Sequence, residues 1–298
     1  MYYVIVNPGS GSYRNKTWLY VENEFQKRGI LYQVFFSTKN HDVNDILKGL
    51  QHGQVMDVII IGGDGSMNLA VNAIRDFTKV RLGYIPSGSG NDFGRGMNIT
   101  RDAQVALEAI LKEGYRQVDV PEIQILQGDY PQRRRFLISC GIGYDALACY
   151  HVSKSHWKTR LNKIGMGHLV YLAYGALSMF EYKPFSLSDE KEEIAFIAVM
   201  NQRYEGGGFL FSPNASAEDG LLDFVKISKI KRFRMVSLIP SARDGKHVNT
   251  PYVHIEQKDQ EHFKFNQPVY IHVDGETLGK AIEVKFLFSS GKLILLNN

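Results

Sequence analysis

Three apolar runs in the N-terminal third each stop at a cluster of glycines and small polar residues. Residues 2–6 end at Asn7-Pro8-Gly9-Ser10-Gly11. Residues 58–61 end at Gly62-Gly63-Asp64-Gly65-Ser66. Residues 82–85 end at Pro86-Ser87-Gly88-Ser89-Gly90-Asn91-Asp92-Phe93-Gly94. Short runs of this kind, bounded by turn formers, read as strands. A further strand is expected at 31–36. Helical spacing lies between the strands: Trp18, Val21 and Phe25 within 18–27; Val43, Ile46, Leu47 and Leu50 within 41–50; and a candidate at 68–77. Alternating strands and helices predict a doubly wound α/β domain around a parallel sheet. In such a sheet ligands bind beyond the carboxyl ends of the strands, where these three loops fall.

The pattern changes after Asp119. Strands are expected at 123–126, 135–139, 194–200, 222–227, 262–265, 269–273 and 283–288, with one long helical region from about 146 to 180. The reading is therefore of two domains: an α/β domain over 1–120 and a β-rich, sandwich-type domain over 121–286. The tail from about 287 to 298 is a candidate to pack back onto the first. No low-complexity linker separates them, so the two are expected to pack closely and leave a cleft.

The loops carry chemistry. Glycines at 62, 63 and 65 let the backbone approach a polyphosphate and point N–H groups at it. Asp64 repels phosphate unless a divalent cation lies between them. The segment also reads as a plain glycine-rich turn with a capping Asp. In the third loop Ser87 and Ser89 offer hydroxyls, and Asn91 and Asp92 offer oxygens; Asp92 can equally cap a helix. Three such loops on one rim describe a nucleotide site. Far downstream, Val273-Asp274-Gly275-Glu276 in an extended segment places both carboxylates on one side. Such a pair raises the pKa of one member and makes it a proton acceptor, although Asp-Gly is also a common hairpin turn. In 204–223, Asp219 with nearby carbonyls suits a hard cation, or the stretch is an irregular loop.

Composition narrows the classes. Apolar residues make up 44% and charged residues 22%, with a net charge of +4, which does not name an anionic partner. No basic helix or aromatic stacking pattern supports nucleic-acid binding. The only cysteines are Cys140 and Cys149, without metal-ligand spacing, and the N-terminus carries no basic leader, so a cytoplasmic protein is expected. Residues 164–180 lack Asp, Glu, Lys and Arg but contain Gly165, Gly167, His168 and Gly175, which favours a buried or interfacial helix over a span. Lys154, Lys158, Arg160 and Lys163 surround Trp157 just before it, as either a peripheral contact with anionic lipid or a solvated basic turn.

Taken together, the segments resemble the diacylglycerol kinase catalytic-domain superfamily, which includes soluble bacterial diacylglycerol kinases and sphingosine kinases. Asn7 to Gly11 resembles its opening loop, Gly62 to Ser66 its GGDGT signature, Pro86 to Phe93 its P-x-GTGNDF signature, 204–222 its GGGF…DG-x-L segment, and Asp274-Gly275-Glu276 its DGE motif. Ser66 and Ser89 replace the usual threonines, and Leu69 stands where the family usually has Glu. The resemblance implies an NAD-kinase-like nucleotide domain, a β-rich lipid domain and transfer of the ATP γ-phosphate to a lipid hydroxyl with Mg2+. It implies ATP binding by Asn7, Pro8, Gly9, Ser10, Gly11, Thr38, Gly62, Gly63, Asp64, Gly65, Ser66, Met67, Asn68 and Ser89, with Asn91 an added candidate. It implies a catalytic Mg2+ organised by Asp64, Asp92 and Asp119, and a structural Mg2+ at Asp219 with the carbonyls of Ser216 and Leu221. Glu276 is the implied base with Asp274 beside it. Diacylglycerol is the expected acceptor at a membrane surface, and a homodimer is a possible assembly. Phosphatidylglycerol or a sphingoid base are alternative acceptors. Phosphofructokinases and NAD kinases share the glycine-aspartate segment, and a silent lipid- or nucleotide-binding regulator is the reading from outside enzymes.

Overall fold

The computed structural model describes residues 1–9, 15–112, 114–155, 174–175 and 177–297. The chain divides into two units, Met1–Val120 with Ser289–Asn298, and Pro121–Phe288.

The first unit runs β1 (Tyr2–Val6), α1 (Asn15–Lys27), β2 (Tyr32–Phe36), α2 (Val43–Leu50), β3 (Met56–Gly62), α3 (Asp64–Ala73), β4 (Val80–Pro86), α4 (Asp92–Gly96), α5 (Ala103–Leu111) and β5 (Arg116–Val118). The C-terminal strand, Leu293–Leu295, inserts between β4 and β5, giving the sheet order β2-β1-β3-β4-C-terminal strand-β5. All neighbours are parallel except β5, which runs antiparallel to the C-terminal strand. The chain crosses from β1 to β2 and then back past β1 to β3, so right-handed crossovers put α1 and α2 on opposite faces. Helix α1 packs with α5, and α2 with α3. Covered on both faces, β3 can be apolar throughout; Val58, Ile59, Ile60 and Ile61 are fully buried. Helix α3 starts four residues before the helix expected at 68–77 and ends at Ala73. The glycine-aspartate loop forms its first turn, with Gly63 as the residue before the helix.

The second unit runs β6 (Pro121–Gly128), β7 (Gln132–Arg135), β8 (Ser139–Gly143), α6 (Tyr144–Lys154), β9 (Ile194–Met200), β10 (Tyr204–Glu205), β11 (Phe209–Leu210), β12 (Leu222–Ser228), α7 (Arg232–Arg243), β13 (Val253–Lys258), β14 (Glu261–Val273) and β15 (Glu276–Phe288). Eight strands form an antiparallel sheet in the order β13-β12-β9-β8-β14-β15-β6-β7, and β10 and β11 form a separate hairpin. One core is rich in phenylalanine, with Phe136, Phe185, Phe224, Phe263 and Phe286 in a single cluster. A second cluster gathers Tyr144, Leu147, Phe196, Val225 and Ile227, so alternate residues of β9 and β12 share one face with the apolar side of α6.

Two expectations for elements change. The strand expected over 135–139 is interrupted: β7 stops at Arg135 and β8 starts at Ser139. Phe136, Leu137 and Ile138 between them are buried. The helical region expected over 146–180 breaks after Lys154, where Ser155 turns extended. Residues 156–173 and 176, which carry most of the basic and apolar stretch, lie outside the described residues. Among the described residues no helix is long and apolar enough to cross a membrane.

Candidate active site

Strands β1, β3 and β4 are parallel neighbours, so the loops that follow them leave the sheet at one rim. Asn7 Nδ2 donates to Ser66 Oγ at 2.9 Å, tying the first loop to the second. The second and third loops touch through their backbones: a Cβ on Gly88 would lie 2.6 Å from Gly63 Cα. Glycine is required at that contact because no side-chain atom fits there. Asp64 completes the junction. Its Oδ2 accepts the Asp92 N–H and its Oδ1 the Phe93 N–H, each at 3.1 Å. A carboxylate there caps the start of α4 and meets its positive end. The side-chain position above Gly90 lies 3.1 Å from Asp64 Oδ2 and 3.7 Å from Asp92 Oδ2, so the two carboxylates converge on one spot. Asp92 also pairs with Arg95. Asn91 adopts a left-handed conformation (φ 54°) and clamps the turn: its Oδ1 accepts the Gly88 N–H and its Nδ2 donates to the Gly88 carbonyl.

A recess of about 320 Å³ opens beside this rim, lined in part by Asn7, Gly9, Ser37, Thr38 and Leu69. Thr38 Oγ1 accepts the His41 N–H, which holds the recess edge in a turn. Leu69 gives the recess an apolar wall. Ser66, Met67 and Asn68 are buried on the inner side of α3, so Met67 offers a ligand nothing but backbone. Pro8, Gly65 and Ser89 are exposed. Ser10 and Gly11 lie outside the described residues.

Asp119 is not brought to Asp64 and Asp92. It follows β5, whose Val118 is level with Leu293 and hence with the start of β4, whereas the glycine loops follow its end. At about 3.3 Å per residue that separates the two levels by roughly 20 Å. Asp119 is 2% exposed, with Lys292 Nζ at 2.7 Å from its Oδ1. Antiparallel insertion of β5 is the physical reason, and it removes Asp119 from a shared cation with the other two. At the proposed structural site, Asp219 Oδ1 accepts the Leu221 N–H at 2.9 Å, and Ser216 Oγ accepts the Glu218 N–H at 3.3 Å. Gly220 sits between at φ 77°.

Asp274 and Glu276 do not project side by side from an extended segment. Val273 pairs with Glu276 across the end of the β14–β15 hairpin, and Asp274 (φ 46°) and Gly275 (φ 81°) form a two-residue turn. Asp274 turns inward and accepts the N–H groups of Leu137, Ile138 and Ser139, all at 3.0 Å. Glu276 turns outward, about half exposed, with Arg134 Nη2 at 2.8 Å. The turn gives the two carboxylates different partners, backbone N–H groups for Asp274 and Arg134 for Glu276.

No spacing in the sequence announces a third group of charges. Asp145, Glu205 and His272 come from α6, β10 and β14, yet one ligand atom of each lies within 4.8 Å of the others. His272 is 2% exposed. Burial works against its charged form, but the hydrogen bond it donates to Asp145 and the charges of Asp145, Glu205 and Asp274 outweigh it and raise its pKa. The local signal for His272 was its place two residues before Asp274.

Residues 1–123 match the model of the diacylglycerol kinase catalytic domain, and residues 138–288 match that of the YegS C-terminal NAD kinase beta sandwich-like domain. YtlR of Bacillus subtilis (strain 168) is 27% identical over 296 residues, covering 93% of this chain and 94% of its own. The diacylglycerol kinase of the same organism is 25% identical over 282 residues, covering 92% and 88%. Among solved structures, a diacylglycerol kinase from Bacillus anthracis str. Sterne aligns with TM-score 0.68 at 19% identity, over 100% of this chain and 96% of that one. An NAD kinase from Archaeoglobus fulgidus in complex with ATP aligns with TM-score 0.53 at 10% identity, over 100% and 94%. Both structures share the fold: an α/β nucleotide-binding type followed by a β-rich sandwich type.

Proposed function

We infer the activity from one premise: the chain belongs to the diacylglycerol kinase catalytic-domain superfamily. It is a lipid kinase. We propose that ATP is its phosphoryl donor and diacylglycerol its acceptor, giving phosphatidic acid. The acceptor follows that of relatives named diacylglycerol kinase in Bacillus subtilis and Mycobacterium tuberculosis.

The observation that carries the donor side is the junction at Asp64, where two glycine loops meet backbone to backbone and two carboxylates converge. That donor set fits Mg2+: two carboxylates that converge within about one side-chain length of each other supply hard oxygens. Asp64 and Asp92 would hold the cation, which would supply neutralisation of the phosphate charge. Asn7 and Ser66 brace the first two loops, and Thr38 and Leu69 flank the base. An adenine ring suits the apolar wall at Leu69, so the loss of a glutamate there is compatible with catalysis. On the acceptor side, Glu276 takes the hydroxyl proton as the oxygen attacks phosphorus and the bond to the β-phosphate breaks. Asp274 holds the turn beneath it. A second, structural Mg2+ is proposed at Asp219 with the Ser216 and Leu221 carbonyls.

A lipid acceptor requires work at a membrane surface. The basic stretch that starts at Lys154 is the proposed contact, as a peripheral association from the cytoplasm. The test is transfer of label from γ-labelled ATP to mixed vesicles, with thin-layer separation of products. Labelled phosphatidic acid is expected from diacylglycerol. Label appearing solely in phosphorylated phosphatidylglycerol or a sphingoid base replaces the acceptor, and no label in any lipid ends the reading.

A further inference from the structure

The Asp145–Glu205–His272 group lies directly behind the Asp274–Gly275 turn. His272 is on β14, opposite Gly141 of β8 and Thr277 of β15. Its Nε2 is 3.2 Å from Asp145 Oδ2 and 3.5 Å from Glu205 Oε1. On the other side of the ring, Nδ1 accepts the Gly275 N–H at 3.3 Å. Glu205 Oε1 also accepts from Ser139 Oγ at 2.6 Å, and the Ser139 N–H is bound to Asp274. The group therefore reaches both residues of the turn. Its floor is Gly141, where a Cβ would lie 2.1 Å from Asp145 Oδ2 and 2.2 Å from His272 Nε2.

The two sides of the ring make incompatible demands. An acceptor at Nδ1 leaves the ring hydrogen on Nε2, where it points at the carboxylates. That tautomer has no lone pair at Nε2 for a metal ion. Adding a proton puts a second hydrogen on Nδ1, facing the Gly275 N–H, and forfeits that bond. From this geometry we propose that neutral His272 is a positioning residue for the acceptor side: it holds the turn from which Glu276 projects, and its protonation releases Gly275. The proposal rests on reading Asp274-Gly275-Glu276 as the motif that receives the hydroxyl proton.

The charged groups facing His272 are Asp145 from α6, Glu205 from β10 and Asp274 from the turn; the Cys140 thiol, on the neighbouring position of β8, lies in the core beside Val273 on the other face of the sheet. Burial pushes the Cys140 thiol well up, with the three carboxylates adding to it, so the thiol stays neutral. The carboxylates favour the imidazolium and raise its pKa above the ordinary 6.5. The neutral ring is the competent form, so turnover declines as pH falls, beginning above pH 6.5.

Two variants separate the sides of the ring. His272→Asn keeps an acceptor near the Nδ1 position and does not titrate. Its kcat is expected within about threefold of the parent, without the decline toward acid. His272→Gln keeps a donor near the Nε2 position and loses the acceptor. Its kcat is expected to fall roughly tenfold with KM for ATP unchanged, the scale of one hydrogen bond. Both are checked for folding by thermal melts. A parent-like acid limb in His272→Asn, or full turnover in His272→Gln, overturns the proposal. Stoichiometric Zn2+ binding by calorimetry to the nucleotide-free protein, lost in His272→Asn, also overturns it by making the group a metal site. Glu276→Gln serves as the control: full turnover there removes the reading of the motif itself, whatever His272 does.

Discussion

At the residue scale, Gly63 and Gly88 explain why the glycine loops are glycine. The usual argument is close approach to phosphate, but here the loops first approach each other. A methyl on Gly88 meets the Gly63 backbone at 2.6 Å as well as Asn91 Oδ1 at 2.8 Å, so relief requires moving a loop. Gly88→Ala is expected to lower stability by about 1–3 kcal/mol, the cost of overpacking, and to weaken ATP binding at least tenfold. Denaturant midpoints and nucleotide titration check it; an unchanged midpoint with unchanged affinity means the loops do not meet as described. Asp64 was legible as a motif residue, either facing phosphate through a cation or capping a turn. Its second task, holding the Asp92 and Phe93 N–H groups, was not. Those groups belong to another loop, and only pairing of β3 with β4 brings them near.

At the element scale, the β14–β15 hairpin sorts two carboxylates that the sequence presents as equals. Asp274 accepts three backbone N–H groups, whereas Glu276 is half-exposed and pairs with Arg134. Hydrogen bonds to a charged group are worth about 1.5–3 kcal/mol, and exposed ion pairs about 0–1 kcal/mol. Asp274→Asn is therefore expected to lower stability by about 2–3 kcal/mol. Glu276→Gln is expected to change it by less than about 1 kcal/mol while lowering kcat about a hundredfold, the scale of a general base. Urea melts and steady-state kinetics on the pair check the division; the reverse pattern would exchange the two roles. The same hairpin explains the gap between β7 and β8. The amides of Leu137 and Ile138 go to Asp274, and an expected strand is lost because a side chain far along the chain takes its ladder bonds.

At the scale of the whole molecule, the last residues complete the sheet of the first unit. Leu293 and Leu295 are fully buried between β4 and β5, and the Asn297 side chain accepts the Tyr84 N–H at 2.7 Å and donates to the Tyr84 carbonyl at 3.0 Å. Deleting residues 290–298 exposes the edge of β4 and removes burial worth about 1.5–3 kcal/mol for each leucine. Two backbone groups of Tyr84 also lose partners, at about 1–3 kcal/mol each. That approaches the stability of an entire domain, about 5–15 kcal/mol. The truncated chain is expected to lose soluble yield and ATP binding; a truncated protein with parent-like melting and affinity would refute this. By itself the sequence determined the α/β class, the three glycine loops and the oxygen-rich chemistry at their ends. Those are local patterns: a strand covered on both faces must be apolar along its length, and backbone contact demands glycine. Tertiary structure decided that Asp64 and Asp92 converge while Asp119 leaves from the far rim, that Asp274 faces inward and Glu276 outward, and that His272 meets Asp145 and Glu205. Each depends on strand direction or register, which are set by pairing between distant segments, and no spacing along the chain records them.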